Sequence, residues 1–195
     1  MASRRNPAAG DRQRYHHGDL RRDLLRVARE EILRHGAQTV SLASLARLAG
    51  VSQPAPYRHF TDRDALFEAV AAEGFEELVV TLAAAMSDRA PLDAVKAIAR
   101  AYVTFGEANT EIYRLMFASR LTPEAKAGSD LDEESGKAFG MLRTAMAAVS
   151  SLTDAEDEAY LLWAQLHGLV MLKADGFINR PLWKFVELPS LLKDR

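Results

Sequence analysis

Apolar residues recur along this chain at the spacing of a helix. Between residues 18 and 35, Leu20, Leu24, Ala28 and Ile32 repeat every four positions, Val27 widens the stripe and Gly36 ends it. A shorter pattern follows, with Leu42, Leu45, Ala46 and Ala49 at i, i+3, i+4 and i+7. Ser41 is placed to cap that helix, Gly50 to end it and Val51 to plug the turn; Ser52 offers a second N-cap one turn later. Helix, glycine turn and helix in this order make the helix-turn-helix pattern. Pro54 and Pro56 both fall in the first turn after Ser52, where amides lack an intrahelical partner, so a tight, partly 3₁₀ start is expected there.

A capping-box spacing, Thr61-x-x-Asp64, predicts the start of a long helix. Phe67, Ala71, Phe75, Leu78, Leu82 and Met86 share its apolar face, so it is long enough to leave one domain and enter the next, as a lever between them. The pattern breaks at residues 87–91, and Pro91 suits the first position of a new helix with Val95, Ile98, Tyr102 and Phe105 inward. A short apolar segment covers residues 111–119. Pro123 and the run AGSDLDEESG predict a polar loop, and a helix over about 132–151 follows, with Phe139, Leu142, Met146 and Val149 in phase.

The last long helix is predicted from Thr153-x-x-Glu156 to near Gly176. It is apolar almost all round from Tyr160 to Leu172, which requires burial on several sides, one of them against a partner subunit. Leu182, Trp183, Phe185 and Val186 in the tail are a second candidate for the same seam. No alternating strand pattern or internal repeat occurs. The expected fold is all-α with about nine helices: a flexible basic arm over 1–17, a three-helix helix-turn-helix domain over 18–64, and a helical domain over 65–195.

Composition narrows the chemistry. The chain has no cysteine, hence no disulfide framework, zinc ribbon or thiol chemistry. His16 and His17 have no third ligand nearby to make a metal site. There is no glycine-rich phosphate loop or nucleophile elbow, so neither an enzyme nor a cofactor is expected. No apolar run approaches a membrane span, and the arginine-bearing N-terminus lacks the apolar stretch of a secretory leader; a cytoplasmic protein is expected. The formal net charge of −2 hides an asymmetry. Residues 1–63 carry 12 arginines against 6 carboxylates, a net of +6, whereas residues 64–195 carry 13 basic and 21 acidic side chains, a net of −8. The positive end holds the helix-turn-helix, which suits a phosphate backbone.

The run VSQPAPYRHFTDRDALFEAV resembles the DNA-binding domain of the tetracycline repressor (TetR) family, with Tyr57, His59, Phe60 and Leu66 where that pattern wants them. Arg63 replaces the usual lysine and Pro56 the more usual leucine. The resemblance implies phosphate contacts from Thr39, Ser41, Tyr57, His59 and Arg63, with Ser52 at the head of the reading segment and Phe60 in the core. Gln53, Pro54 and Arg58 would face bases: a glutamine amide matches adenine N6 and N7, and proline offers an apolar face to a thymine methyl. Tyr57 has a competing place packed against the first helix, and Arg58 a competing role as a solvated charge.

Trp163-x-x-x-His167-Gly168 resembles the Trp-His-Gly signature of one C-terminal subtype of that family, and Gly168 would let another helix approach closely. Tyr102, Phe105, Tyr113, Met116, Phe117, Trp163, His167 and Met171 are candidates to line an apolar pocket, against the plainer reading that aromatics and methionines at helical spacing are core. The resemblance implies a transcriptional repressor released from a palindromic double-stranded DNA operator by a small apolar or amphipathic ligand. It also implies a homodimer formed through the last two helices, about residues 154–192. The alternatives are an activator without a small-molecule inducer, or a helical protein-interaction module.

Overall fold

A computed structural model describes residues 20–118, 125–150 and 155–186. Those residues form eight α-helices and two 3₁₀ turns, with no strand among them. The helices are α1 (Leu20–His35), α2 (Leu42–Leu48), α3 (Arg63–Met86), α4 (Pro91–Ala108), α5 (Thr110–Met116), α6 (Asp130–Ala147), α7 (Ala155–Ala174) and α8 (Trp183–Val186). The expected arm over 1–17, the Thr153 cap and the tail beyond Val186 lie outside the described residues.

The predicted stripes become one continuous core. Leu24, Ala28 and Ile32 of α1 are fully buried, as are Leu66, Val70, Ala71, Leu78 and Leu82 along α3. α3 packs on α1 at its start and on α4, α5 and α6 further along. It is a single 24-residue helix, and the boundary expected at 64/65 falls in its first turn. Two glycines admit close packing. A Cβ on Gly74 would stand 2.8 Å from Met116 Sδ, and one on Gly106 would stand 2.5 Å from Val170 Cγ1, so the Met116 side chain of α5 packs on bare α3 backbone and Val170 of α7 on bare α4 backbone.

Three local expectations need correction. The cap of α3 is Asp62, whose carboxylate accepts from Ala65 N–H at 2.8 Å; Thr61 instead donates its hydroxyl to Asp62, 3.3 Å away. A carboxylate accepts two bonds beside a helix N-terminus and is favoured there by the dipole, which explains the one-residue shift. α6 begins at Asp130, capped by Ser129, and ends at Ala147. Its buried face is Leu131, Ala138, Leu142 and Ala145, while Phe139 and Met146 are only partly buried and Val149 lies beyond the helix. Small alanines let α6 lie along α3, and Phe139 turns toward α7 instead, stacked on Tyr160 with ring centroids 4.4 Å apart.

Among the described residues, the α-helix expected after Ser52 is replaced by tighter turns. The second half of the helix-turn-helix is a turn from Ser52 to Ala55 followed by a 3₁₀ turn over Pro56–Arg58. Pro54 and Pro56 have no N–H to give to the α pattern. Ala55, Arg58 and His59 therefore bond three residues back, to Ser52, Ala55 and Pro56, and only Phe60 reaches four back, to Pro56. The expected cap by the Ser52 side chain is absent, because no α-helix starts there.

Candidate nucleic-acid interface and effector cleft

The reading segment is held by its two flanks. Ser41 caps α2 in a reciprocal box: its hydroxyl accepts from Ser44 N–H at 3.0 Å, and Ser44 Oγ accepts from Ser41 N–H at 2.9 Å. α2 ends in a Schellman turn, with Gly50 at φ 66°, Gly50 N–H on the Arg47 carbonyl and Val51 N–H on the Ala46 carbonyl at 2.9 Å. This turn sends the chain from α2 into the prolyl segment. Pro56 and Phe60 then anchor it, both buried, and Arg21 of α1 lies over the Phe60 ring at 5.5 Å.

Between those anchors the polar residues face outward. All nine candidate DNA contacts, Thr39, Ser41, Ser52, Gln53, Pro54, Tyr57, Arg58, His59 and Arg63, are exposed. Tyr57 is 55 % exposed. Besides Ser41 in its capping box, two of the nine have internal partners as well. Thr39 donates its hydroxyl to the Gly36 carbonyl at 3.0 Å. Arg63 donates to the Ala37 carbonyl at 2.7 Å and lies 4.7 Å from the Phe67 ring centroid, so it ties the start of α3 to the loop before α2. Asp62, which caps α3 among these residues, escaped the sequence reading, although Asp is as good an N-cap as Thr.

The second candidate site is an open cleft of about 680 Å³ against α7, lined by Phe117, Asp157, Tyr160, Leu161, Trp163, Ala164 and His167. Of the eight residues expected to line a pocket, Phe117, Trp163 and His167 do so. Tyr102, Phe105, Tyr113 and Met116 are core residues, and Met171 is half-buried without reaching the cleft. The four others that line it sit on α7 at positions 157, 160, 161 and 164; the last three fall in the apolar run from Tyr160 to Leu172 expected to form the seam, and Asp157 lies before it.

Two of those core residues still act on the cleft from behind. Trp163 Nε1–H donates to Tyr102 OH at 2.9 Å. The Tyr102 and Tyr113 hydroxyls are 2.9 Å apart, and Tyr113 OH is 2.8 Å from His167 Nδ1. Tyr102 and Tyr113 are 1 % and 0 % exposed, and burial pushes both phenols up, so they stay protonated. Burial pushes the His167 imidazole below its ordinary value, which favours the neutral ring. Phe117 stands edge-on to His167 at 4.7 Å and completes the aromatic wall. Gly168 has nothing within 4 Å of where a Cβ would stand, so the close helix approaches within the described residues are at Gly74 and Gly106 and not there.

Among the described residues, no group of three or more His, Cys, Asp or Glu side chains is placed to hold a metal ion, and no helix is long and apolar enough to cross a membrane.

Comparison with known proteins agrees with this geometry. The family model described as "Bacterial regulatory proteins, tetR family" matches residues 24–70, and the one described as "Tetracyclin repressor-like, C-terminal domain" matches residues 95–184. An HTH-type transcriptional regulator of Mycobacterium tuberculosis is 30 % identical over 99 residues, 49 % of this chain. The match spans only 42 % of that relative's length. A protein of unknown function from Rhodococcus sp. RHA1 superposes with a TM-score of 0.77 at 33 % identity, covering 89 % of this chain and 93 % of that one. A tetR-family regulatory protein from Rhodococcus RHA1 (TM-score 0.67, 17 % identity, 85 % and 92 % covered) shares the fold. So does FadR from Bacillus subtilis, solved in complex with stearoyl-CoA (TM-score 0.69, 10 % identity, 89 % and 96 % covered). The relatives whose names state a role are named as regulators. With two family models matching separate parts of one chain, and an all-helical fold carrying a helix-turn-helix at its N-terminal end, this chain belongs to the TetR family of DNA-binding transcriptional regulators.

Proposed function

We propose that this chain is a repressor that binds a pseudo-palindromic operator as a homodimer and is released from it by a small apolar or amphipathic ligand held in the α7 cleft. The observation that carries the reading is the outward-facing cluster of nine candidate contacts between Thr39 and Arg63, joined to the cleft-bearing helices by the uninterrupted α3. Gln53, Pro54 and Arg58 face bases. Thr39, Ser41, Ser52, Tyr57, His59 and Arg63 grip phosphates.

Support for the dimer comes from α7. Leu161, Gln165, Gly168 and Leu172 recur at spacings of 4, 3 and 4, with Leu161 60 % and Leu172 46 % exposed in the single chain. This stripe, continued by residues up to about 192, is the proposed seam, and a two-fold pair of reading heads suits half-sites one helical turn apart. The C-terminal half is assigned to the Trp-His-Gly subtype on Trp163, His167 and Gly168. The ligand acts by preferring a conformer in which the two heads are misplaced, since equal affinity for both states shifts nothing.

Selection of duplexes from a random pool by the purified protein, followed by a search for compounds that release the selected duplex, tests this reading. Enrichment of a two-fold site and its release by a compound that shifts cleft resonances are expected. Recovery of no preferred sequence would overturn it in favour of a helical interaction module.

A further inference from the structure

The hydrogen bonds behind the cleft have one workable direction. Trp163 Nε1–H can only donate, so Tyr102 oxygen accepts from it. Among the described residues, the Tyr102 hydroxyl proton then has one acceptor within reach, the Tyr113 oxygen. The Tyr113 proton is left for His167 Nδ1. Both tyrosines are buried, so neither turns to water instead. Reversal of the chain would strand the Tyr102 O–H without an acceptor. His167 is therefore held neutral, with its proton on Nε2. His167 is half-buried and lines the cleft, and its Nδ1 is taken by Tyr113, which leaves Nε2–H as the ring donor to offer a ligand there.

The cleft wall around this donor is aromatic and aliphatic; among the described residues Asp157 is the one carboxylate that lines it, and no lysine or arginine does. We infer that the cleft takes an electrically neutral ligand, its apolar body along Phe117, Tyr160 and Trp163 and an acceptor oxygen or nitrogen hydrogen-bonded by His167 Nε2–H. An anion finds no counter-charge among the described lining residues. A pure hydrocarbon leaves the fixed N–H unpaired, and sites built around such a donor discriminate strongly against ligands that lack the acceptor. The inference deepens the proposed repressor reading, because it assigns ligand chemistry to the same cleft.

Two measurements on the full-length protein separate its failure from the failure of that reading. In the ligand-free protein, ¹⁵N-histidine spectra near neutral pH should show His167 as the Nε2–H tautomer, and Tyr113→Phe should abolish that preference. An Nδ1–H tautomer or an imidazolium in the wild type overturns the inference whatever the cleft binds. Titration then uses three probes: benzophenone, diphenylmethane and 4-benzoylbenzoate. Benzophenone should shift the His167 Nε2 resonance, and the other two should bind about tenfold or more weakly. His167→Ala should erase the difference between ketone and hydrocarbon. Equal binding of ketone and hydrocarbon by the wild type, or tighter binding of the carboxylate, overturns the inference while leaving the cleft as an effector site. No shift with any probe at millimolar concentration overturns the cleft assignment itself.

Discussion

Arg29 Nη2 donates to Glu77 Oε2 at 2.6 Å and so fastens α1, which braces the reading head, to the second half of α3. The same nitrogen lies 3.5 Å from Asn109 Oδ1 at the α4–α5 junction, and Arg29 Nη1 is buried with no partner. The guanidinium is 19 % exposed and the carboxylate 50 %, so solvent screens the pair. Glu77→Ala strands a mostly buried cation and should cost about 1 kcal/mol or slightly more. Arg29→Met removes the orphaned nitrogen together with the pair and should cost less. Urea unfolding of both variants checks the order, and a larger loss for Arg29→Met would mean that the pair itself carries the stability.

Gln53 has no structural partner that its loss would disturb, and it is exposed. Gln53→Ala should leave unfolding unchanged, weaken the best operator by ~1–3 kcal/mol and relax preference at one base position. Anisotropy titrations on the best duplex and single-base variants measure this. An equal loss on every sequence would remove Gln53 from the base readers.

Arg63 has two roles to separate. Arg63→Ala deletes the bond to the Ala37 carbonyl and the stacking on Phe67, so a loss of ~0.5–1.5 kcal/mol in stability is expected. If it also grips phosphate, the slope of log affinity against log salt falls by about 1. A stability loss with an unchanged slope would leave only the structural role.

The two helical glycines at positions 106 and 168 should respond in opposite ways. Gly106→Ala drives a Cβ into Val170, 2.5 Å away, and should destabilise by ~1–3 kcal/mol as α4 and α7 part. Gly168→Ala meets nothing of its own chain and gains helix propensity, worth up to ~1 kcal/mol in the monomer. If Gly168 sits in the proposed seam, the same variant weakens dimerisation, read by sedimentation. Unchanged association would shift the seam away from it.

Acid should weaken the fold through His167. Its folded pKa is lowered by burial, and the unfolded chain titrates near the ordinary value of about 6.5. Between the two values the unfolded chain holds more protons, so the contribution is fully present above about pH 6.5 and is lost as pH falls toward the folded value. The urea midpoint should therefore drop from about pH 7.5 to about pH 5.5, and drop less in His167→Gln. Equal drops would place the sensitivity elsewhere.

What was legible in the sequence was local and periodic. Leu24, Ala28 and Ile32 announced α1, Ser41 its neighbour's cap, and Gly50 the Schellman turn, because each rests on contacts within one or two helical turns. The prolines at 54 and 56 signalled a tight start, but not that the 3₁₀ pattern would replace the whole second helix. That outcome depends on Pro56 and Phe60 being held in the core by α1 and α2. The cleft was half legible. Trp163 and His167 stood out on one helix, whereas their hydrogen bonds reach Tyr102 and Tyr113, 61 and 54 residues away, and no spacing rule links residues so far apart. The phase of α6 failed for a similar reason: which of two adjacent apolar faces is buried was decided by α3, not by α6 itself.

The central claim is that the exposed Thr39–Arg63 cluster reads DNA, and affinity for a selected duplex measured across a range of salt tests it most directly. The account predicts a pseudo-palindromic sequence enriched from random duplexes, bound far more tightly than a scrambled one, with log affinity falling steeply and linearly with log salt. Equal affinity for selected and scrambled duplexes, or an affinity indifferent to salt, would contradict it.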